Sequence, residues 1–196
     1  MSILALTSNT LVTAAAGQIE YNGQFFGTDS AASRAQLQRI TQGTAVASTS
    51  GTSIDFTALP AWVKKITVML SGVSVSSTSS ILVQLGTGAT PTYTITGYAG
   101  GGVRFGASTL GGASFTTGFG LNNTGAAALI GGSITITNVT GNTWSASGSA
   151  GSADTGTLVM VTGGSIALAA ALTAVRITTN GADTFDAGSV NILYEG

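Results

Sequence analysis

The sequence offers few residues that could perform acid–base, nucleophilic or metal chemistry. It contains no histidine and no cysteine. This removes the commonest general base, the usual zinc ligands and any Ser-His-Asp or Cys-His arrangement. Among the seven carboxylates, we single out Asp183 and Asp186, which could form a glycosidase pair or bind calcium, or could cap backbone amides in a tight loop. We expect capping, with no catalytic residue, no bound metal and no cofactor.

Two tyrosines are candidates for ligand contact. The glycine-rich segments at residues 86–88 and 100–102 open no helix and precede no Gly-Lys-Ser/Thr, so we interpret them as turns rather than as a nucleotide site. Tyr93 and Tyr98 lie beside the second segment. Because exposed tyrosines often stack on sugars or anchor interfaces, both could contact a ligand, with core packing as the alternative.

The composition describes a folded chain with an unusually uncharged surface. Only 7% of the 196 residues are charged, against roughly 25% in ordinary globular domains. A mean hydropathy of +0.44 argues against disorder, and a net charge of −1 gives no footprint for nucleic acid. No apolar run is long enough to span a bilayer. We therefore expect much of the surface to face other subunits, although a surface rich in Ser, Thr and Asn could instead supply solubility.

Short apolar runs separated by turns predict an all-β fold. Roughly nine or ten short strands recur at the spacing of sandwiches and barrels. No helical periodicity separates them, so an antiparallel sandwich is favoured over a parallel βαβ fold. The clearest predicted strands are residues 63–70, 81–85, 93–98, 133–139, 143–147, 158–161, 166–168, 175–178 and 190–194.

The first part of the chain has a different texture. Residues 19–26 predict a hairpin around the Asn22-Gly23 turn, and residues 30–40 form the one candidate helix, with Asp29 or Ser30 as its N-cap. The sequence thus predicts an N-terminal arm with a hairpin and a short helical connector at residues 1–43, followed by a β-sandwich head at residues 44–196.

Two groups of residues resemble bacteriophage virion proteins. The sequence AGQIEYNG at residues 16–23, followed by Phe25, Phe26 and Ser33-Arg34, resembles a connector of phage fibre and other virion proteins. A broader group is similar to a jelly-roll-like module of phage and prophage virion proteins, often found at fibre ends. This second group comprises residues 51–56, 60–69, 82–86, 176–179 and 183–195. The resemblance implies a jelly-roll-like β-sandwich head in a homotrimer, and it carries no catalytic residue.

These observations predict a non-enzymatic virion protein that is assembled in the host cytoplasm. The first hypothesis is an oligomeric short fibre or tail-tip protein whose head contacts a host surface glycan or protein. The alternative is a capsid decoration or cement protein, because no long shaft is recognisable. A glycan-cleaving enzyme using Asp183 and Asp186 is a third hypothesis. In the first two hypotheses the N-terminal segment attaches to other virion proteins or to its own copies. Its candidate residues are Ile3, Leu4, Leu6, Ile19, Tyr21, Phe25, Phe26 and Arg34.

Overall fold

The computed structural model describes residues 19–21, 25–28, 34–106, 110–123, 125–126, 128–152 and 158–196. The chain divides into two units, Met1–Arg39 and Ile40–Gly196. Every regular element among the described residues is a β-strand, and no helix occurs there. The predicted all-β class is therefore confirmed.

The described part of the first unit contains a small antiparallel sheet. Its strands are β1 (Ile19–Tyr21), β2 (Phe25–Thr28) and β3 (Arg34–Gln36), in the order β1-β2-β3. The pairing of β1 with β2 agrees with the predicted hairpin, and the residues of the Asn22-Gly23 turn lie outside the described residues.

The helix predicted over residues 30–40 is wrong where the structure describes it. Residues 34–36 form β3, which pairs with β2 in the register Thr28↔Arg34. The Leu37 N–H then donates to the Phe25 carbonyl at 2.9 Å. Pairing with the open edge of a hairpin satisfies these backbone groups, and such tertiary pairing readily overrides a weak helix propensity.

The second unit is a β-sandwich of two antiparallel sheets. The larger sheet has the order β11-β10-β15-β14-β13-β7-β17-β4, with β5 also on β17, and the smaller has the order β12-β8-β16-β6, with β9 also on β8. One buried apolar cluster contains residues of both sheets. Jelly-roll connectivity remains a prediction. The strands are β4 (Ile40–Gln42), β5 (Val46–Ala47), β6 (Ser53–Phe56), β7 (Lys65–Val75), β8 (Ile81–Thr87), β9 (Thr92–Tyr93), β10 (Ala99–Gly106), β11 (Leu110–Phe115), β12 (Phe119–Leu121), β13 (Ile130–Thr140), β14 (Thr143–Ser152), β15 (Leu158–Ala167), β16 (Leu172–Thr179) and β17 (Phe185–Glu195).

Alternation of buried and partly exposed residues shows how the sheets enclose the core. In β7, Ile66, Val68 and Leu70 are buried while the residues between them are half-buried. This is expected of a strand with one face on the core, because successive side chains point to opposite faces. Each such side chain contributes about 1.5–3 kcal/mol through its burial.

Strand β8 is buried on both faces, which explains why apolar residues such as Ile81, Leu82 and Val83 follow one another without alternation. Its residues facing away from the core, Leu82 and Gln84, are covered by the loop at residues 116–118. The Gln84 side-chain amide donates to the Thr117 carbonyl at 2.8 Å. A run of apolar residues without alternation is typical of a strand covered on both sides.

Two predicted strand boundaries are wrong for reasons of backbone geometry. The sequence predicts separate strands at residues 158–161 and 166–168, with Gly163 and Gly164 between them, but Leu158–Ala167 is one strand. A Cβ on Gly164 would lie 2.7 Å from the Ala99 carbonyl oxygen, so this glycine permits close strand approach rather than a turn. The strand expected at residues 93–98 is reduced to Thr92–Tyr93.

Candidate functional site

The predicted ligand-contact residue Tyr93 lies in a charged cluster on the outer face of the smaller sheet. The guanidinium carbon of Arg176 lies 3.9 Å from the centre of the Tyr93 ring. Arg176 also donates two hydrogen bonds of 2.7 Å to the Asp55 carboxylate. Val175 and Ile177 are buried on either side of Arg176, so Arg176 points away from the core.

The charged groups of this cluster already have partners within the chain. The guanidinium covers one face of the Tyr93 ring, which is a cation–π contact, and the bidentate pair occupies the Asp55 carboxylate. Each of the two charged side chains is 32% exposed. The ring also lies against Gly86, where a Cβ would meet it at 2.9 Å. A sugar that stacks on Tyr93 in place of the guanidinium must therefore displace Arg176.

The Tyr93 hydroxyl is neutral at physiological pH. Burial, assisted by the neighbouring Asp55 and opposed by Arg176, raises the pKa of Tyr93 to about 12. Asp55 is close enough to influence this pKa, yet the buried hydroxyl makes no hydrogen bond of acceptable geometry. The group is a poor candidate for a general base, which needs a pKa near the working pH.

Tyr98 is a core residue, so the ligand contact predicted for it is wrong. Its side chain is 3% exposed, and its ring packs edge-to-face on Phe119 with the centroids 5.0 Å apart. The Leu85 backbone N–H donates to the Tyr98 hydroxyl at 2.8 Å. Burial raises the pKa of Tyr98 to about 12. The core-packing alternative is the one the structure shows.

Asp183 and Asp186, the two carboxylates that the sequence suggests as a pair, lie in different environments. Asp183 accepts a hydrogen bond from the Ser79 backbone N–H at 2.9 Å, which joins the loop after β16 to the loop before β8. Asp186 is exposed on β17. Within the described ranges, no group of three or more His, Cys, Asp or Glu residues could hold a metal ion. Asp183 therefore caps a backbone amide, but the amide belongs to a distant loop rather than to its own.

The attachment residues predicted in the first unit are only partly described. Ile19 and Phe25 are exposed, and Tyr21 and Phe26 are half-buried. The Tyr21 and Phe25 rings lie 5.1 Å apart across β1 and β2. Arg34 begins β3. Ile3, Leu4 and Leu6 lie outside the described residues, and the attachment role of the whole set stays a prediction.

A second surface lies on the outer side of the larger sheet and is formed by β10, β11 and β15. Phe105 stands opposite both Leu110 and Val159, and Val103 stands opposite Val161. Leu110 is 75% exposed, Phe105 50%, Val159 46% and Val161 45%. We call these five residues the outer apolar face.

This face carries no charge. Arg104 is the one charged residue on the three strands that form it. Its neighbours in register, Gly111 and Met160, belong to the opposite side of the sheet, where Met160 is buried. Beside the apolar side chains, a shallow open depression of about 640 Å³ is lined largely by glycine and small residues of the same strands. The surface therefore suits an uncharged partner.

The sequence holds a signal for this surface in residues 158–161. All four residues are apolar and show no alternation, a pattern typical of a strand covered on both faces. Met160 covers the core, whereas Val159 and Val161 project outward. In β8 a loop of the same chain covers the corresponding outward residues. Among the described residues no segment does this for β15.

A small polar pocket lies where the β13–β14 turn meets the starts of β7 and β16. Its volume is about 110 Å³, and Lys64, Asn138 and Trp144 contribute to its lining. Trp144 is 3% exposed, and its indole N–H has no hydrogen-bond partner among the described residues. Ordered water commonly pairs buried donors of this kind.

Comparisons with known proteins assign no family to this chain. Protein-family models, curated proteins and solved structures all yield no match. No helix in the described part of the chain is long and apolar enough to cross a membrane.

Proposed function

We propose that this chain is a non-enzymatic structural protein of a bacteriophage particle and that it assembles with copies of itself. The observation that supports self-assembly best is the outer apolar face. With four of its side chains 45–75% exposed, it forms a patch on the order of a few hundred Å², the size at which surface patches on monomers are often functional. Partner subunits would cover such a surface.

The assignment to a phage particle is supported by the resemblance of residues 16–23 and 183–195 to virion proteins. The physical character of the chain is compatible with it. A two-sheet antiparallel sandwich satisfies its backbone within a rigid core, and repeated copies on a particle convert weak contacts into firm attachment. Three-fold assembly is what the same resemblance implies.

Within the particle we favour a short fibre or tail-tip position, with the sandwich contacting a host surface glycan or protein. Tyr93 remains a candidate contact, which requires Arg176 to move away from its ring. The runner-up is a capsid decoration protein. It is favoured by the division into a small N-terminal unit and a larger sandwich, because the first could clamp capsid subunits while the second projects.

Particles that lack the protein test the proposal and separate its two forms. Loss of adsorption to host cells with unchanged resistance to heat and osmotic shock is expected for a tail-tip protein. Loss of that resistance with normal adsorption is expected for a decoration protein. Particles that are unchanged in both properties and never contained the protein would overturn the proposal.

Tyr93→Ala provides the corresponding test of the ligand contact. We expect reduced adsorption by particles that carry it and normal adsorption by particles with Val139→Ala, which changes an exposed apolar residue of β13. Equal adsorption by both variants would remove Tyr93 from the receptor-binding surface.

A further inference from the structure

The strand β11 is an unprotected edge of the larger sheet. Edge strands expose a row of unpaired backbone groups, and proteins usually guard them by shortness, charge, proline or a bulge. β11 spans six residues, contains neither a charged residue nor proline, and pairs with β10 without a shift of register. It therefore has none of these protections.

The other edges in the described part of the second unit are short or charged. β4 and β12 have three residues each, and β5 and β9 have two. β6 has four residues and carries Asp55. The contrast singles out β11 as the edge best suited to pair with another strand.

The local sequence of β11 also allows another strand to approach closely. Gly111 and Gly112 present no side chain, and a Cβ built on Gly112 would meet only a Val103 methyl carbon at 4.0 Å. The Asn122 side-chain amide donates to the Gly111 carbonyl at 3.1 Å, which fixes the beginning of the strand. The edge is thus held in an extended conformation.

We propose that two copies of this chain pair antiparallel through β11 across a two-fold axis, so that their larger sheets become one continuous sheet. This inference rests on the proposed self-assembly and assigns a surface to it. Leu110 and Ser114 lie on the same side of β11 as the outer apolar face. The pairing therefore brings the two apolar faces side by side.

A second copy fits this surface better than a charged partner does. An isologous contact requires a patch that complements itself, and an uncharged strand beside an uncharged apolar face meets that requirement. A stable interface needs about 800 Å² from each partner. In one continuous sheet the two apolar faces lie side by side and do not cover each other, so this area must come from the backbone of β11 and the side chains along that edge.

The contact predicts a two-fold assembly, whereas the resemblance to virion proteins implies a three-fold one. Sedimentation and light scattering on the full chain measure the mass directly. We expect a species of twice the chain mass of 19.2 kDa. Leu110→Lys places a charge at one end of the predicted β11–β11 interface. It should weaken dimerisation on the order of tenfold or more.

Matched variants keep the test decisive. Ser114→Lys places a charge on the same edge and should also weaken dimerisation. Val139→Lys alters an exposed valine on β13, outside the outer apolar face, and should leave the dimer intact. Circular dichroism and thermal unfolding establish that each variant is folded, which is expected because exposed substitutions change stability little.

Amide hydrogen exchange gives an independent measurement. Exchange in β11 should slow as protein concentration rises, and this dependence should disappear in Leu110→Lys. A trimer that all three lysine variants leave unchanged would overturn β11 pairing while preserving self-assembly. A chain that stays monomeric at every concentration would overturn both the β11 pairing and the proposed self-assembly.

Discussion

Replacing Tyr98 by phenylalanine isolates one buried hydrogen bond. The phenylalanine ring keeps the edge-to-face contact with Phe119, whose centroid lies 5.0 Å away. The hydroxyl that accepts the Leu85 N–H at 2.8 Å is lost. Leu85 is completely buried, so its N–H has no access to water in the variant.

The expected loss follows from that unpaired donor. Leaving a buried donor unsatisfied costs about 1–3 kcal/mol. In a chain of this size each kcal/mol lowers the melting temperature by about 2–4 °C. Chemical denaturation should therefore show Tyr98→Phe to be less stable than the parent chain, with an unchanged denaturant slope because the same surface is exposed on unfolding.

Tyr194→Phe is the matched control. Tyr194 is half-buried and its ring lies 5.7 Å from that of Trp62, but its hydroxyl makes no hydrogen bond among the described residues. We expect a change within about 0.5 kcal/mol. If Tyr98→Phe is as stable as Tyr194→Phe, the assignment of Tyr98 to a hydrogen-bonded core position is refuted.

Three further results are expected. The free energy of unfolding should fall between about pH 10 and pH 12, because the pKa of Tyr98 is about 10 in the unfolded chain and about 12 in the fold. As the pH rises, the Tyr98 hydroxyl loses its proton in the unfolded state first, which favours unfolding. Tyr98→Phe removes this hydroxyl and should reduce the fall. Gly164→Ala should lower the free energy of unfolding by more than about 1 kcal/mol, because the new Cβ would lie 2.7 Å from backbone atoms of the neighbouring strand. Gly163→Ala should be tolerated, because the nearest atom to its Cβ lies at 3.5 Å. Denaturation curves of the two variants, measured in parallel, compare them. A double-mutant cycle with Asp55→Asn and Arg176→Gln should give a coupling of about 0.5–1 kcal/mol that weakens with salt, since both side chains are one-third exposed; a coupling independent of salt would contradict the electrostatic assignment.

The β class was predictable because local pattern and tertiary contacts agree over most strands. Residues 133–139 and 143–147 alternate around a Gly141-Asn142 turn and form the hairpin of β13 and β14. The strand predicted at residues 81–85 is confirmed as part of β8. In such segments the hydrophobic period alone identifies the strand and its inner face.

The failures arise where glycine or pairing decides the structure. Gly163 and Gly164 indicate a turn locally, but β10 and β14 require their small size within a continuous strand. The segment over residues 99–121 gave no strand prediction, because glycines interrupt its apolar period, yet it forms β10, β11 and β12. The edge β11 and most of the outer apolar face could therefore not be predicted, although the unbroken apolar run at residues 158–161 indicated one of its strands.

The candidate site likewise combines residues that the sequence identifies with contacts that only the fold shows. Tyr93 and Tyr98 lie five residues apart, before the same glycine-rich segment, and only the fold separates them. Gly97 has a φ of +82°, which favours glycine, and the chain turns there before Tyr98 enters the core. The Asp55–Arg176 pair joins residues that are 121 positions apart, so no local pattern could reveal it.

The most direct test of the proposed role is the location and copy number of this chain in purified phage particles. Peptide mass spectrometry with quantitative standards, combined with antibody-label electron microscopy, measures both. We predict several copies per particle at one defined site, at a tail tip or over the capsid. Particles that are complete and infectious but contain none of the chain, while the producing cells contain it, would contradict a structural role in the virion.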